Sequence, residues 1–169
     1  SGAQTVLPLP PANVQDLHEV LRFFEGVALA LDAAHELGVV HRDVKPGNLM
    51  VRPDGEPVVL DFGLATGSEG EALTRVGEGM GTPEYMAPEQ IEEGRGAVDA
   101  RTDVYGLGVT LYEVLTGTRP FQGPSPHEIQ ASILRDATAT VDRLNPALNG
   151  SVAAVVAEFW SDQDVDWTD

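Results

Sequence analysis

Hydrophobic residues between positions 13 and 38 recur with the spacing of one face of an α-helix. Asn13, with Asp16 three residues later, has the composition of a helix start, and Gly38 can end the helix. The pattern predicts one long helix with a wide apolar face, which we interpret as core packing. The residues that define this face are Leu17, Val20, Leu21, Phe24, Ala28, Leu31, Ala34 and Leu37.

The period of the pattern changes after the long helix. Two short apolar runs at 49–51 and 57–60 flank residues 53–56, which have turn chemistry, so this region predicts a β-hairpin. Residues 63–84 are rich in Gly, Glu and Thr without periodicity, and a loop of that length is usually functional or disordered. Further apolar patterns predict helices at residues 101–115, 125–135 and 151–160.

The overall composition is that of a folded domain with an acidic surface. The 169 residues are 42% hydrophobic, which is enough for one domain with a core, and the formal net charge is −17. Such a surface repels phosphate backbones and anionic lipids, so nucleic acid and membrane surfaces are poor partner candidates. No cysteine is present, and no apolar stretch approaches the roughly 20 residues that span a bilayer. We expect a cytoplasmic location for this chain, while a longer parent protein could carry a membrane anchor.

The chain divides into three parts. Residues 1–12 are Pro-rich and aperiodic, which is typical of a linker. Residues 13–160 contain the predicted helices and the hairpin, and they form the expected domain. Residues 161–169 are rich in Asp, and we expect them to be a disordered acidic tail.

Three short motifs lie where the predicted elements meet. Residues 41–48 join the long helix to the hairpin, residues 61–63 follow the second strand, and residues 87–89 close the long loop. They read His-Arg-Asp-Val-Lys-Pro-Gly-Asn, Asp-Phe-Gly and Ala-Pro-Glu. Taken singly, their Asp and Asn residues are ordinary turn formers at strand ends. Their order and spacing make coincidence a poor explanation.

The order and spacing of these motifs resemble those of the protein kinases, whose signature has H-R-D…N, D-F-G and A-P-E in that order. The resemblance covers residues 13–158 and looks most like the bacterial serine/threonine kinases. It implies an α+β fold, a mainly helical kinase C-terminal lobe in which a small β-hairpin carries the catalytic and metal-binding loops. It also implies transfer of the ATP γ-phosphoryl group to Ser or Thr hydroxyls of a protein substrate, with Mg²⁺ as the metal.

The resemblance implies a chemical role for each polar residue of the first two motifs. Asp43 matches the base that orients the acceptor hydroxyl and takes its proton, and Lys45 matches the cation that neutralises the transferring phosphoryl group. Asn48 and Asp61 match the two Mg²⁺ ligands, which suits the preference of Mg²⁺ for oxygen. Met50 matches the apolar surface under the adenine. The residues expected to bind ATP are Lys45, Asn48, Met50 and Asp61.

Two further features concern specificity and regulation. The Lys-Pro pair after the catalytic Asp resembles the serine/threonine branch of the family and not the tyrosine kinases. Thr82 matches the Thr that touches the catalytic Asp in that branch, so it joins the expected catalytic residues. Arg42 matches an Arg that can pair with a phosphorylated loop residue, and Thr74 is the candidate site of that phosphorylation. The alternative is that Thr74 is an ordinary polar loop residue.

The remaining motif residues are expected to be structural. His41 is interpreted as a core residue that shapes the catalytic loop, which is residues 41–48, and Phe62 and Gly63 complete the D-F-G motif. Asp103 matches a helix Asp that bonds the backbone of the catalytic loop, and it can also be a helix N-cap. The other histidines have no metal-ligand spacing, so we interpret them as structural or exposed. They are His18, His35 and His127.

The chain departs from the family pattern in two places. We expect no counterpart of the kinase N-terminal lobe, with its Gly-rich loop, strand Lys and helix Glu, before the first helix. We also expect Glu89 to lack the Arg with which it normally pairs, and Arg119 and Arg143 are the candidate substitutes. Without such a partner, a buried Glu89 carboxylate would cost several kcal/mol or take up a proton.

Two functions from different classes stay open. In the first, the chain is part of an active serine/threonine kinase. In the second, it is a truncated, non-catalytic kinase-like lobe that acts as a protein-interaction module. We expect the chain alone to be inactive, because the partner N-terminal lobe supplies much of the ATP site. The expected partners are therefore that missing lobe and a protein substrate with a Ser or Thr acceptor.

Overall fold

The computed structural model describes residues 10–62 and 82–135, together with residues 145, 148 and 156. These residues form a mainly helical structure with one two-stranded sheet, which confirms the predicted helical fold with a small β-hairpin. Within the described residues, the helices are α1 (Val14–His35), α2 (Pro88–Ile91), α3 (Ala100–Thr116) and α4 (Pro126–Ile133). The strands are β1 (Leu49–Val51) and β2 (Pro57–Val59), and 3-10 turns cover Pro46–Asn48 and Pro83–Tyr85.

The long helix α1 begins where the sequence predicts. The side chain of Asn13 accepts a hydrogen bond from the Asp16 backbone N–H (3.0 Å), which satisfies one of the free donors of the first turn. The helix ends at His35, and Gly38 follows in a left-handed conformation (φ 74°). Gly38 therefore lies in the turn that leads into the catalytic loop and not at the helix end itself.

The buried face of α1 differs in part from the predicted one. Phe23 and Val27 are buried although the prediction omitted them, whereas Ala28 is exposed and Leu37 is 83% exposed. Leu37 lies beyond the end of the helix, so helical periodicity does not apply to it. Phe23 and Val27 lie one turn apart and rotate the buried face away from Ala28. The core residues of α1 are Leu17, Val20, Phe23, Phe24, Val27 and Leu31.

The hairpin has the predicted strands and turn. β1 and β2 pair antiparallel, with Leu49 opposite Val59. Gly55 in the turn has φ 89°, a conformation that glycine adopts without a steric penalty. The hairpin lies so close to α1 that a Cβ atom added at Gly26 would be 2.6 Å from the ring of Pro57. The strands that carry the site residues therefore rest on the long helix.

Helix α3 packs into both apolar clusters of the described residues. It begins after Asp99, whose side chain accepts from the Arg101 backbone N–H (2.9 Å), and it ends at Gly117. Asp103 lies inside the helix, so the prediction that it is an N-cap is wrong, and Asp99 has that position. Some residues of α3 pack with α1 and the hairpin in the main core, and others pack with Tyr85 and α4 in a second cluster.

The C-terminal part of the chain is described only at a few positions. Helix α4 is capped by Ser125 and ends at Ile133, slightly before the predicted end. Of the predicted helix at 151–160, only Val156 is described, and it is helical and buried. The predicted tail and most of the predicted linker lie outside the described residues, so the domain boundaries stay predictions. Among the helices that are described, none is both long enough and apolar enough to cross a membrane.

Candidate active site

Asp103 of α3 holds the backbone at the start of the catalytic loop. Its side chain is almost fully buried, and its two carboxylate oxygens accept hydrogen bonds from the backbone N–H groups of His41 (2.8 Å) and Arg42 (2.7 Å). The ring Nε2 of His35, at the end of α1, lies 2.7 Å from the same carboxylate. Hydrogen bonds to an ionised group are the strong ones in proteins. The buried carboxylate therefore fixes the loop to two helices at once.

Arg42 has a backbone conformation that needs such support. Its φ is 68°, in the left-handed region that costs a non-glycine residue about 1–3 kcal/mol. Its N–H is bound by Asp103, and its carbonyl accepts a hydrogen bond from the side-chain amide of Gln90 (2.8 Å). The Gln90 side-chain oxygen accepts in turn from the Ala87 backbone N–H (2.9 Å). Gln90 thus connects the catalytic loop to the Ala-Pro-Glu motif.

His41 is fully buried and connects the catalytic loop to the end of β2. Its Nε2 lies 2.7 Å from the carbonyl oxygen of Leu60, which can only accept, so the proton is assigned to Nε2. The other ring nitrogen then accepts from the backbone N–H of Asp43 (3.2 Å). The ring of Phe62 packs edge-on against it, with centroids 4.8 Å apart. These contacts of the His41 side chain hold the loop against the end of β2.

Four of the predicted catalytic and metal-binding residues form one cluster. One carboxylate oxygen of Asp43 lies 2.8 Å from Lys45 Nζ and 3.0 Å from Asn48 Nδ2. Lys45 Nζ also donates to the hydroxyl of Thr82 (3.1 Å), on the far side of the long loop in sequence. The side chains of Asp43 and Lys45 are 16% and 23% exposed, so both can be reached from solvent. The cluster joins the catalytic loop to the residue that precedes the Pro83–Tyr85 turn.

The two predicted Mg²⁺ ligands lie at neighbouring ends of the hairpin strands. The Leu60 N–H donates to the carbonyl of Asn48 (2.8 Å), and Asp61 is the next residue. The Asn48 side-chain NH₂ donates to the Asp43 carbonyl (2.8 Å) and carboxylate, which leaves its Oδ1 atom for another partner. Asp61 is exposed and has φ 63°. The backbone brings the two residues together, and the closeness of their side-chain oxygens stays a prediction.

The donor atoms of this pair fit a hard cation. An amide oxygen and a carboxylate are the ligands that Mg²⁺ prefers, and this ion commonly takes few protein ligands with waters or phosphates as the rest. In the part of the chain that the structure describes, no group of three or more His, Cys, Asp or Glu side chains could hold a metal. Met50, the predicted adenine contact, is half-buried on β1 opposite Val58. Gly63 and Thr74 lie outside the described residues.

A second charged cluster lies beside the Pro83–Tyr85 turn. The Arg119 guanidinium contacts the carboxylates of Glu84 (2.6 Å) and Glu113 (3.3 Å), and it lies 5.8 Å from the centre of the Tyr85 ring. The Tyr85 hydroxyl donates to Glu113. Burial, and then the hydrogen bond to Glu113, raise the pKa of Tyr85 above its ordinary value. Burial would lower the pKa of Arg119, but the neighbouring Tyr85, Glu113 and Glu84 groups raise it overall.

Comparison with known proteins agrees with the motifs and the geometry. The family model for the protein kinase domain matches residues 11–161. The chain belongs to the protein kinase domain family. This confirms the predicted family.

The curated relatives of this kinase chain are bacterial serine/threonine-protein kinases, as predicted. It is 37% identical to PknL of Mycobacterium tuberculosis over 164 residues, which is 94% of this chain and 39% of PknL. It is 42% identical to the DNA damage-responsive kinase RqkA of Deinococcus radiodurans over 139 residues, 80% of this chain and 20% of RqkA. It is 41% identical to PknB of M. tuberculosis over 130 residues, 75% of this chain and 20% of PknB. The chain therefore spans well under half the length of these relatives.

Glu89 of this kinase domain has a partner that the sequence did not suggest. The half-buried carboxylate accepts a hydrogen bond from the hydroxyl of Thr102 on α3 (2.6 Å). Arg119 is bound to other carboxylates, so the prediction that it could replace the usual Arg partner is wrong. Arg143 lies outside the described residues. The Glu89 carboxylate, which was expected to lack a partner, therefore has one neutral hydrogen-bond donor in Thr102.

Sequence reasoning missed two residues that support the catalytic loop. His35, like His18 and His127, was interpreted as structural or exposed, and its contact with Asp103 was not predicted. His18 and His127 are exposed in the structure. Gln90 was not singled out at all. A Gln at the third position of a short helix can cap the helix start, and this was the available signal. Its second bond, to the Arg42 carbonyl, depends on the tertiary fold.

Proposed function

We propose that this chain is the C-terminal lobe of a serine/threonine protein kinase, which transfers the γ-phosphoryl group of ATP to Ser or Thr hydroxyls of a protein. The observation that carries the proposal is the contact of Lys45 Nζ with both the Asp43 carboxylate (2.8 Å) and the Thr82 hydroxyl (3.1 Å). These residues come from separate segments, and each matches a kinase residue of stated role. Family membership and the bacterial serine/threonine kinase relatives support the same reaction.

Asp43 is proposed as the base. One of its oxygens is held by Lys45 and Asn48, and the other would accept a hydrogen bond from an incoming hydroxyl. The carboxylate is 16% exposed, which allows that approach while its orientation is fixed by the buried loop. Phosphoryl transfer depends mainly on such positioning, and a positioned base contributes about 10²–10⁴-fold. The proton of the acceptor hydroxyl thus goes to Asp43.

Lys45 and the hairpin are proposed to hold the phosphate end of the nucleotide. The Lys45 cation lies between Asp43 and Thr82, where it can neutralise charge on the transferring group. Asn48 Oδ1 and the Asp61 carboxylate would hold a Mg²⁺ ion, which when bound supplies charge neutralisation for the polyphosphate. Met50 would lie under the adenine. The contact between Thr82 and Lys45 supports Ser or Thr as the acceptor.

Arg42 is proposed as the receiver of a regulatory phosphate. Its Nε atom is buried and has no hydrogen-bond partner among the described residues. A buried guanidinium nitrogen without a partner is unfavourable, and a phosphate group would supply the missing acceptor. Thr74, eight residues before Thr82, stays the predicted phosphorylation site. We expect Thr74→Ala to lower the activity of the full-length kinase, and phosphosite mapping of the active protein to find this residue modified.

The proposal is tested with the full-length protein that contains this chain. Peptides that differ only in carrying Ser, Thr or Tyr are offered with ATP and Mg²⁺, and transfer is followed by mass spectrometry. The Asp61→Asn variant tests the metal site, and Asp54→Asn, a second exposed Asp on the same hairpin, is the matched control. We expect Ser and Thr peptides to be modified, with a large loss in Asp61→Asn and none in Asp54→Asn. Equal losses in the two variants, or preferred Tyr modification, would refute the assignment.

A folded protein that binds peptide without transfer would favour the interaction-module alternative.

A further inference from the structure

A cleft of about 360 Å³ includes Glu84 in its lining, and Glu84 follows Thr82 of the proposed catalytic cluster by two residues. Glu113 and Arg119 also line the cleft, together with the apolar side chains of Phe121 and Ile129. The two carboxylates converge on the Arg119 guanidinium, which also faces the ring of Tyr85. The chain therefore contains, within one cleft, both an acid pair suited to a cation and the cation that fills it.

The cleft is within reach of a peptide whose acceptor residue is bound at the proposed catalytic cluster. Lys45 joins Thr82 to Asp43, and Glu84 follows Thr82 by two residues, at most about 7 Å of backbone. An extended peptide advances about 3.3 Å per residue. A substrate whose acceptor hydroxyl meets Asp43 can thus place a side chain a few residues away into this cleft.

The acid pair is not saturated by Arg119. The second carboxylate oxygen of Glu84 is buried and has no hydrogen-bond partner among the described residues. Glu84 and Glu113 carry two negative charges against the one positive charge of Arg119, so the cluster stays net acidic. Arg119 itself is 41% exposed, which leaves it open to displacement or substitution. A guanidinium can form an ion pair with carboxylates and contact the face of an aromatic ring at the same time.

We propose that Arg119 determines substrate specificity by occupying, from within the chain, the subsite in which Glu84 and Glu113 would otherwise bind an Arg or Lys of the protein substrate. The proposal rests on the proposed kinase function. The net charge of −17 alone suggests a preference for basic substrates. Arg119 removes that preference at this subsite, since a substrate cation would have to displace a tethered one.

The test compares peptide substrates that carry a single Arg or an Ala at each position around the acceptor. Wild-type full-length protein is compared with Arg119→Ala, and with Arg95→Ala, which removes an exposed Arg paired with one Glu elsewhere. We expect wild type and Arg95→Ala to favour the Arg peptide by less than about threefold at every position. Arg119→Ala should favour it about tenfold or more, in kcat/KM, at one position. Adding Glu84→Gln to Arg119→Ala should abolish that gain, and Arg119→Lys should behave as wild type.

A second measurement does not depend on turnover. A fluorescent peptide with one Arg and an Ala in place of the acceptor is titrated into each variant, and anisotropy reports binding. Arg119→Ala should bind it about tenfold more tightly than wild type or Arg95→Ala. Arg119→Gln, which keeps hydrogen-bond donors without the charge, serves if Arg119→Ala does not fold. Tighter binding without any phosphoryl transfer would refute the proposed function, and only the binding of an Arg side chain at Glu84 and Glu113 would remain. Transfer that continues with no change in Arg preference or peptide affinity would overturn the inference alone.

Discussion

Replacing Asp103 with Asn should loosen the catalytic loop while the rest of α3 stays intact. Asp103 accepts three hydrogen bonds, from the His41 and Arg42 backbones and from His35, and it is 1% exposed. The Asn side chain has the same size but only one acceptor oxygen and no charge. At least one buried N–H then loses its acceptor, at about 1–3 kcal/mol, and the bonds that remain become weaker. We expect local stability to fall by roughly 2–4 kcal/mol, since the strained Arg42 backbone depends on the same carboxylate.

Backbone hydrogen exchange measures this loss directly in the full-length protein. A loss of 2–4 kcal/mol corresponds to exchange that is roughly 30-fold faster or more in peptides covering residues 39–45. Asp99→Asn is the matched control, because it lies on the same helix and Asn caps a helix as well as Asp does. It should leave exchange in the loop unchanged. If exchange in Asp103→Asn stays within threefold of wild type, the loop is held by other contacts and the reasoning fails.

Three other substitutions test separate parts of the structure. Gln90→Glu keeps an acceptor for the helix start but loses the donor to the Arg42 carbonyl, and should lower kcat about tenfold with little change in peptide KM or in Tm. Gly106→Ala should destabilise by about 1–3 kcal/mol in thermal unfolding despite better helix propensity, because its Cβ would lie 3.0 Å from the Val44 carbonyl oxygen. Asp99→Asn should flatten the acid side of the pH–stability profile. Hydrogen bonding to Arg101 lowers the pKa of Asp99 in the folded protein, so the carboxylate adds stability above its ordinary pKa of about 3.9. That stability is lost as the pH falls from this value through the lower pKa of the folded protein.

Each of these predictions has a control or a contrary result. Gln90→Ala loses both bonds, so it should lower kcat and Tm together, whereas equal kcat in Gln90→Glu and wild type would remove the proposed link to the catalytic loop. Gly47→Ala meets no atom within 4 Å of its new Cβ and should be tolerated in the unfolding assay. Parallel acid profiles for wild type and Asp99→Asn would show that the Asp99 carboxylate adds no stability to the fold.

Local chemistry was sufficient to predict the elements that position the site. The cap at Asn13, the turn at Gly55 and the apolar runs of the hairpin act within a few residues of each other, so the sequence pattern carries them. The buried face of α1 was predicted less well. Whether Phe23 or Ala28 faces the core depends on the neighbours that α3 and the hairpin supply.

The contacts that bridge distant segments could not be predicted from spacing. Lys45 donates a hydrogen bond to Thr82, which lies beyond the long loop in sequence. Both residues were identified as site residues only through the resemblance to kinases. Nothing in the sequence indicated that Gln90 would reach the Arg42 carbonyl. Arg119 was offered as a partner for the wrong carboxylate, because charge alone does not tell which of several Glu residues the folded loop brings near.

The most direct test of the central claim is a single-turnover measurement of phosphoryl transfer with Asp43→Asn. The full-length protein is mixed with ATP, Mg²⁺ and the preferred Ser or Thr peptide, and product is followed by rapid quench. We expect a rate about 10²–10⁴-fold below wild type with unchanged peptide binding, because Asn keeps an oxygen that can accept from Lys45 and Asn48 but cannot take the proton. Transfer by Asp43→Asn at the wild-type rate would contradict the assignment of this cluster as the catalytic centre.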